Sequence, residues 1–197
     1  MVYKQSGQTL KIQFCEESMK FPSFGINADV SKDLVITVPA NWNCNKLEID
    51  AAAAEVEIYD LNINEVDFDG ASGECIFENC NIVSLDIDTA SGNVEFKGIL
   101  KELDFDAASA KFRGEFLQVP NHLYMDTMSG DLDIILPSYC GFEMEYDSAS
   151  GSFGSDFEFT TDGTHYKCGD GACKIKINAM SSDINILKGV DVPQTNS

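Results

Sequence analysis

The sequence predicts an all-β protein: a right-handed, β-helix-like solenoid of about seven repeats of roughly 20 residues with atypical capping ends. Three observations predict it. A twelve-residue phrase occurs seven times at nearly even spacing. Inside each copy apolar and polar residues alternate, which is the period of a strand. No segment holds an i, i+3, i+4 apolar pattern long enough to make a helix.

The phrase is h-x-h-D-x-A-S-G-x-h-x-h, with h apolar. Its copies are LEIDAAAAEVEI from Leu47, VDFDGASGECIF from Val66, LDIDTASGNVEF from Leu85 and LDFDAASAKFRG from Leu103. They continue with LYMDTMSGDLDI from Leu123, MEYDSASGSFGS from Met144 and IKINAMSSDINI from Ile175. The fourth position is Asp50, Asp69, Asp88, Asp106, Asp126 and Asp147, with Asn178 in the last copy, and the successive steps are 19, 19, 18, 20, 21 and 31 residues. Columns one, three and ten are apolar in every copy, so they face inward, and the residues between them face out. Like columns then stack about 4.8 Å apart, making a rod on the order of 30 Å long. An antiparallel meander closing into a sandwich would also use such strands. Its hairpins prefer two-residue Asn-Gly or Asp-Gly loops, whereas this corner is longer and of one recurrent type.

Along the chain, residues 1–45 carry strand-like LKIQF and LVITVP and form an N-terminal cap leading into the solenoid. Residues 46–188 are the repeats, and 189–197 a polar tail, within one domain overall. At the corner, Asp can accept a hydrogen bond from the N–H two residues on and close an Asx-turn. Alanine keeps the bend thin, and Gly73, Gly92, Gly130 and Gly151 permit positive φ. These Asp and Gly columns are expected to be structural turn residues, because they recur in phase with the fold. The 31-residue step contains an insertion loop, 155–172, that protrudes from the stack.

The charge is lopsided, with 33 acidic against 13 basic residues and a net charge of −20. That excludes nucleic acid and anionic membrane as partners, since both need clustered Lys and Arg to displace counterions. Arg113 is the sole arginine, which leaves no bidentate phosphate clamp. Metal cations, basic proteins, glycans and self-association remain. The seven cysteines form no compact disulfide framework, which fits free thiols in a reducing cytosol or on the surface of an anaerobe. The N-terminus shows no signal-peptide pattern, and no apolar run approaches the ~20 residues of a membrane helix.

Two metal sites deserve weighing. Glu48, Asp67, Asp86 and Asp104 would stack as an outward carboxylate ladder, a weak candidate for Ca²⁺, which takes six to eight oxygen ligands. Neither an EF-hand loop nor a calcium-binding nonapeptide is present, and a solvated, aggregation-resistant face explains the same residues. His165, Cys168 and Cys173 are a weak candidate for zinc, against a loop disulfide or incidental cysteines. No cofactor and no catalytic constellation is legible. His122 has no nucleophile partner, and Trp42, Phe157, Phe159 and Tyr166 either form a sugar platform or pack against an end of the solenoid.

The recurring D-x-A-S-G units, some following a strand that ends in proline, resemble a bacterial "putative adhesin" family of unknown function over roughly residues 33–188. The resemblance implies a right-handed β-helix-like fold and placement at the cell surface or envelope. It implies no catalytic residues. The expected function is therefore a non-catalytic binding or structural module with an elongated acidic surface, taking an unknown protein or glycan. Two alternatives stay open: an intracellular envelope-stress accessory protein, which suits the unpaired cysteines, and a carbohydrate-active β-helix enzyme. The enzyme would need paired carboxylates or a basic residue set in a cleft.

Overall fold

The computed structural model describes residues 2–13 and 33–190. The chain divides into two compact units, Met1–Thr37 and Val38–Ser197, rather than one. In the first, β1 (Val2–Ser6) and β2 (Thr9–Gln13) form an antiparallel hairpin with Tyr3 opposite Ile12. Gly7 makes the turn at φ 59°. The expected strand LVITVP does not form: residues 33–39 are irregular, with Leu34, Val35 and Ile36 exposed. β-branched residues favour a strand only where a neighbour takes their backbone groups, and none does so here among the described residues. Residues 14–32, with Cys15, and the tail from 191 lie outside the described residues.

The second unit is all strand and turn. It comprises β3 (Asn43–Tyr59), β4 (Asn62–Phe116), β5 (His122–Ser129), β6 (Leu132–Leu136), β7 (Phe142–Ser150), β8 (Phe153–Ser155), β9 (Thr160–Thr161), β10 (His165–Cys168), β11 (Cys173–Ser181) and β12 (Ile184–Lys188). The first copy of the phrase lies in β3 and the next three run unbroken through β4. The fifth is β5 with β6, the sixth β7 with β8, and the seventh β11 with β12. Pairing between copies is parallel and in phase: Leu47 lies opposite Val66, Ile49 opposite Phe68, Leu103 opposite Leu123 and Phe105 opposite Met125. The Asn81 N–H of β4 donates to the Leu61 carbonyl at 2.8 Å, one coil back and just before the strand begins.

The alternation writes the core. Val66, Leu85, Leu123 and Ile177 are essentially inaccessible, while the acids between them are not. Phe96 sits between Phe77 and Phe116, with ring centroids 6.5 and 5.6 Å away. Gly114 occupies the inward position next to them because Phe112 and Phe116 already fill the space a Cβ would need. The serine of A-S-G links coils: Ser91 Oγ donates to the Ala71 carbonyl at 3.3 Å and Ser129 Oγ to Ala108 at 3.4 Å.

The order of the last copies differs from the expected sequential pile. The seventh copy is inserted between the fifth and the sixth: Ile175 pairs with both Leu123 and Met144, and Ile184 with both Leu132 and Phe153. Ser150 Oγ accordingly reaches the Met180 carbonyl, at 3.1 Å. All three copies present the same apolar columns, so either order satisfies the ladder. The long step between copies six and seven supplies the chain needed to return.

That step is not a protruding loop. Its β9 and β10 form an antiparallel hairpin, and β10 pairs antiparallel with β7, Tyr166 opposite Met144. The hairpin covers an edge that would otherwise expose a row of unpaired N–H and C=O groups. Phe159 and Tyr166 close over Phe153, with centroids 5.8 and 5.0 Å away, and Phe157 is buried edge-on against Phe142. Three of the four aromatics weighed as a sugar platform are thus packing residues, whereas Trp42 is 41% exposed.

Candidate functional site

Stacking the corners produces an open groove of about 760 Å³. Its floor is made of the two residues after each corner aspartate, which are Ala, Gly or Thr from Ala51 to Ala108, and Met128 ends it. Its rim is the column Asp50, Asp69, Asp88, Asp106 and Asp126. At the ~4.8 Å spacing of neighbouring strands, five such residues span about 19 Å. The groove exists because small side chains recur at one place in every coil while longer ones flank it.

The corner itself is held differently from the sequence expectation. Among the described residues no backbone N–H donates to Asp50, Asp69, Asp88, Asp106, Asp126 or Asp147, unlike Asp170 and Asp183, which accept from Ala172 and Ser152. The strand continues through the corner, and the neighbouring coil takes the backbone groups that an Asx-turn would need. Hydroxyls do the local work instead: Thr89 Oγ1 donates to the Ser91 carbonyl at 3.1 Å, as does Thr127 to Ser129. Gly73, Gly92, Gly130 and Gly151 adopt φ of 129°, 125°, 124° and 121°.

Electrostatically the rim is unrelieved. Lys46 pairs with Glu65 and Asp67, Lys97 with Glu115, Lys111 with Asp131 and Arg113 with Asp133, all away from the rim. Among the described residues no corner aspartate has an ion-pair partner. Partial burial, reinforced by neighbouring carboxylates, raises Asp86, Asp104 and Asp106 above the ordinary carboxylate range. The sign follows. A carboxyl raised on folding holds its proton more tightly in the folded state, so its contribution is favourable below the unfolded pKa and lost as pH rises through the folded one. Glu143, bound by Lys167 and Lys174 and held down to about 2, acts oppositely: its contribution is present above the unfolded range and lost as pH falls towards that value. Replacing Asp86 by asparagine is therefore expected to raise the melting temperature at pH 7 by about 1–2 °C, a small effect because the group faces solvent. The gain should vanish at pH 3, and 1 M salt should remove only the part that comes from neighbouring carboxylates. Thermal melts across pH check it; an unchanged gain at pH 3 contradicts the electrostatic reading.

The Glu48, Asp67, Asp86 and Asp104 ladder does form, Glu48 opposite Asp67, but it ends where Tyr124 and Lys176 follow. Among the described residues no three His, Cys, Asp or Glu side chains converge as a metal-binding group. The zinc candidates are not brought together: His165 and Cys168 lie on opposite faces of β10, and His165 Nδ1 sits 3.7 Å from Asp162. Cys168 and Cys173 are both free thiols. The thiol beside Cys173 is that of Cys140, a neighbour that no sequence spacing signals, and their interaction lowers Cys140 and raises Cys173. Burial pushes the Cys75 thiol up to about 12, marking it as an inert core residue.

A family model described as Toastrack DUF4097 matches residues 1–187. A solved structure of a putative cell adhesion protein from Clostridium sporogenes is similar at 14% identity, covering 79% of this chain and 97% of that one, with a TM-score of 0.42. No curated protein matches the chain. No helix among the described residues is long and apolar enough to cross a membrane.

Proposed function

The chain belongs to the Toastrack DUF4097 family, and from that premise we propose a non-catalytic binding module: a right-handed solenoid of seven coils with dissimilar ends, displaying an elongated acidic surface at the cell envelope to a protein or glycan partner. The observation that carries the reading is the groove, shallow, floored by alanine and glycine, and rimmed by five aspartates without counter-ions. Such a floor gives an extended ligand close approach to backbone over several coils. The rim supplies acceptors for hydroxyls and cations, and repels polyanions.

Chemistry would need something else. General acid–base work on a glycoside takes two carboxylates facing each other across the scissile bond, with unlike proton affinities. The corner aspartates lie side by side in one row. The expected result is that the protein releases no reducing ends from a panel of polysaccharides, with or without Ca²⁺. Release that disappears in Asp88→Asn would overturn the binding reading in favour of an enzyme. Fractionation of cells should find the full-length protein with the envelope; recovery in the cytosol alone would support the intracellular envelope-stress alternative, which the six free thiols among the described residues favour.

A further inference from the structure

We propose that the outer edge of β3 is a strand-addition site for an extended peptide carrying lysine or arginine at alternate positions. β3 is 17 residues long and, among the described residues, pairs only with β4. Among the described residues nothing completes the stack over the middle of β3, although Cys44 and Ile58 near its ends are buried. Val66, Phe68 and Cys75 of the next coil are 0, 6 and 2% exposed, whereas the equivalent Leu47, Ile49 and Val56 are only half-buried. The opposite end is closed: Tyr146 and Phe153 lie beneath Tyr166, and β10 occupies the edge of β7.

Charge selects the occupant. Glu48, Asp50, Glu55 and Glu57 are exposed on β3. Its one cation, Lys46, turns to Glu65 and Asp67 of β4, at 2.7 and 3.2 Å. A second β3 laid antiparallel on this edge would set carboxylates against carboxylates and add to the repulsion β3 already has with Asp67, Asp69 and Glu74 of β4, which disfavours another copy of the chain. Where the molecule relieves an acidic strand, at β7, it does so with lysine. β11 reads Cys-Lys-Ile-Lys-Ile-Asn, with its isoleucines inward and Lys174 and Lys176 outward. Lys174 bonds Glu143 of β7, and Lys176 lies opposite Glu145. On the other side of β7, Lys167 of β10 bonds the same Glu143 at 2.7 Å. Both strands set against β7 thus present lysine to its acids, and β3 offers the same alternation on a side that no described strand occupies. Main-chain hydrogen bonds would give affinity, and the alternate lysines and apolar residues would give register.

The test is fluorescence anisotropy of a labelled peptide, acetyl-TVKIKVT-amide, titrated with the full chain. Saturable one-to-one binding is expected, at least tenfold weaker for TVEIEVT and for TPKPKPT, which keeps both lysines but cannot extend a sheet. The double substitution Glu48→Lys with Asp50→Lys should weaken TVKIKVT at least tenfold while leaving the circular dichroism spectrum unchanged. No saturable binding would overturn the proposal. Equal binding of TPKPKPT to the unsubstituted protein would also overturn it, by showing charge attraction without strand addition. So would a dimer that the peptide fails to disperse, since the edge would then be an interface between copies.

Discussion

Gly92→Ala is expected to cost about 3–5 kcal/mol, enough to consume much of the ~5–15 kcal/mol that holds a domain together. Two effects add. Gly92 has φ 125°, a region an L-residue occupies only under strain of about 1–3 kcal/mol. Its Cβ would also fall onto the Gly73 carbonyl oxygen one coil away, against rigid backbone that cannot step aside. Gly73 stands in the same relation to Ala54, so relief at one coil would be transmitted to the next. Urea unfolding checks it, with the midpoint falling sharply. The control is Ala110→Gly in the same column, expected to lose only about 0.5–1 kcal/mol through greater freedom of the unfolded chain. A Gly92→Ala midpoint within about 1 kcal/mol of the parent would mean the corner geometry is not as described.

Phe96→Ala is expected to cost about 3–5 kcal/mol, the transfer term for a large aromatic plus the void it leaves. Phe96 is 2% exposed and has rings of adjacent coils on both sides. The surrounding ladder is hydrogen-bonded along its whole length, so the walls collapse poorly and the void persists. Phe96→Leu should cost less, roughly 1–2 kcal/mol. Tyr139→Ala, 58% exposed, should move the midpoint by no more than about 0.5 kcal/mol. A Phe96→Ala loss no larger than that of Tyr139→Ala would place the ring outside the core.

The inward columns were legible in the chain because a strand alternates with period two, and residues such as Leu85 and Ile87 keep that phase in every copy. Stacking like on like then follows from burial alone. The neighbour order does not: Ile175 and Met144 are interchangeable as inward residues, so nothing local decides which lies beside Leu123. The terminal hairpin had a signal that the cysteine spacing obscured. Asp162-Gly163 is a tight-turn dipeptide between short runs of strand formers, and Tyr166 and Cys168 alternate inward from it. The corner alanines read correctly as small. That they align into a groove floor is a property of five coils together, invisible in any one. The aspartates were misread as turn-formers because an isolated corner would use them so, while a stacked one has already engaged its N–H groups.

The inserted seventh copy also bears on how the chain reaches its native state. A polypeptide leaving the ribosome N-terminus first can settle its opening five copies one upon another. The sixth, though already synthesised, has no resident neighbour, because its seat is against β11 and β11 is still to come. Its nearest available surface is β5, the wrong berth, with the same apolar face. Residues 173–188 must therefore enter last and part or pre-empt that mispairing, closing contacts between positions about 50 apart, such as Leu123 and Ile175. They act as the keystone of an arch: set after the stones on either side, and bearing on both.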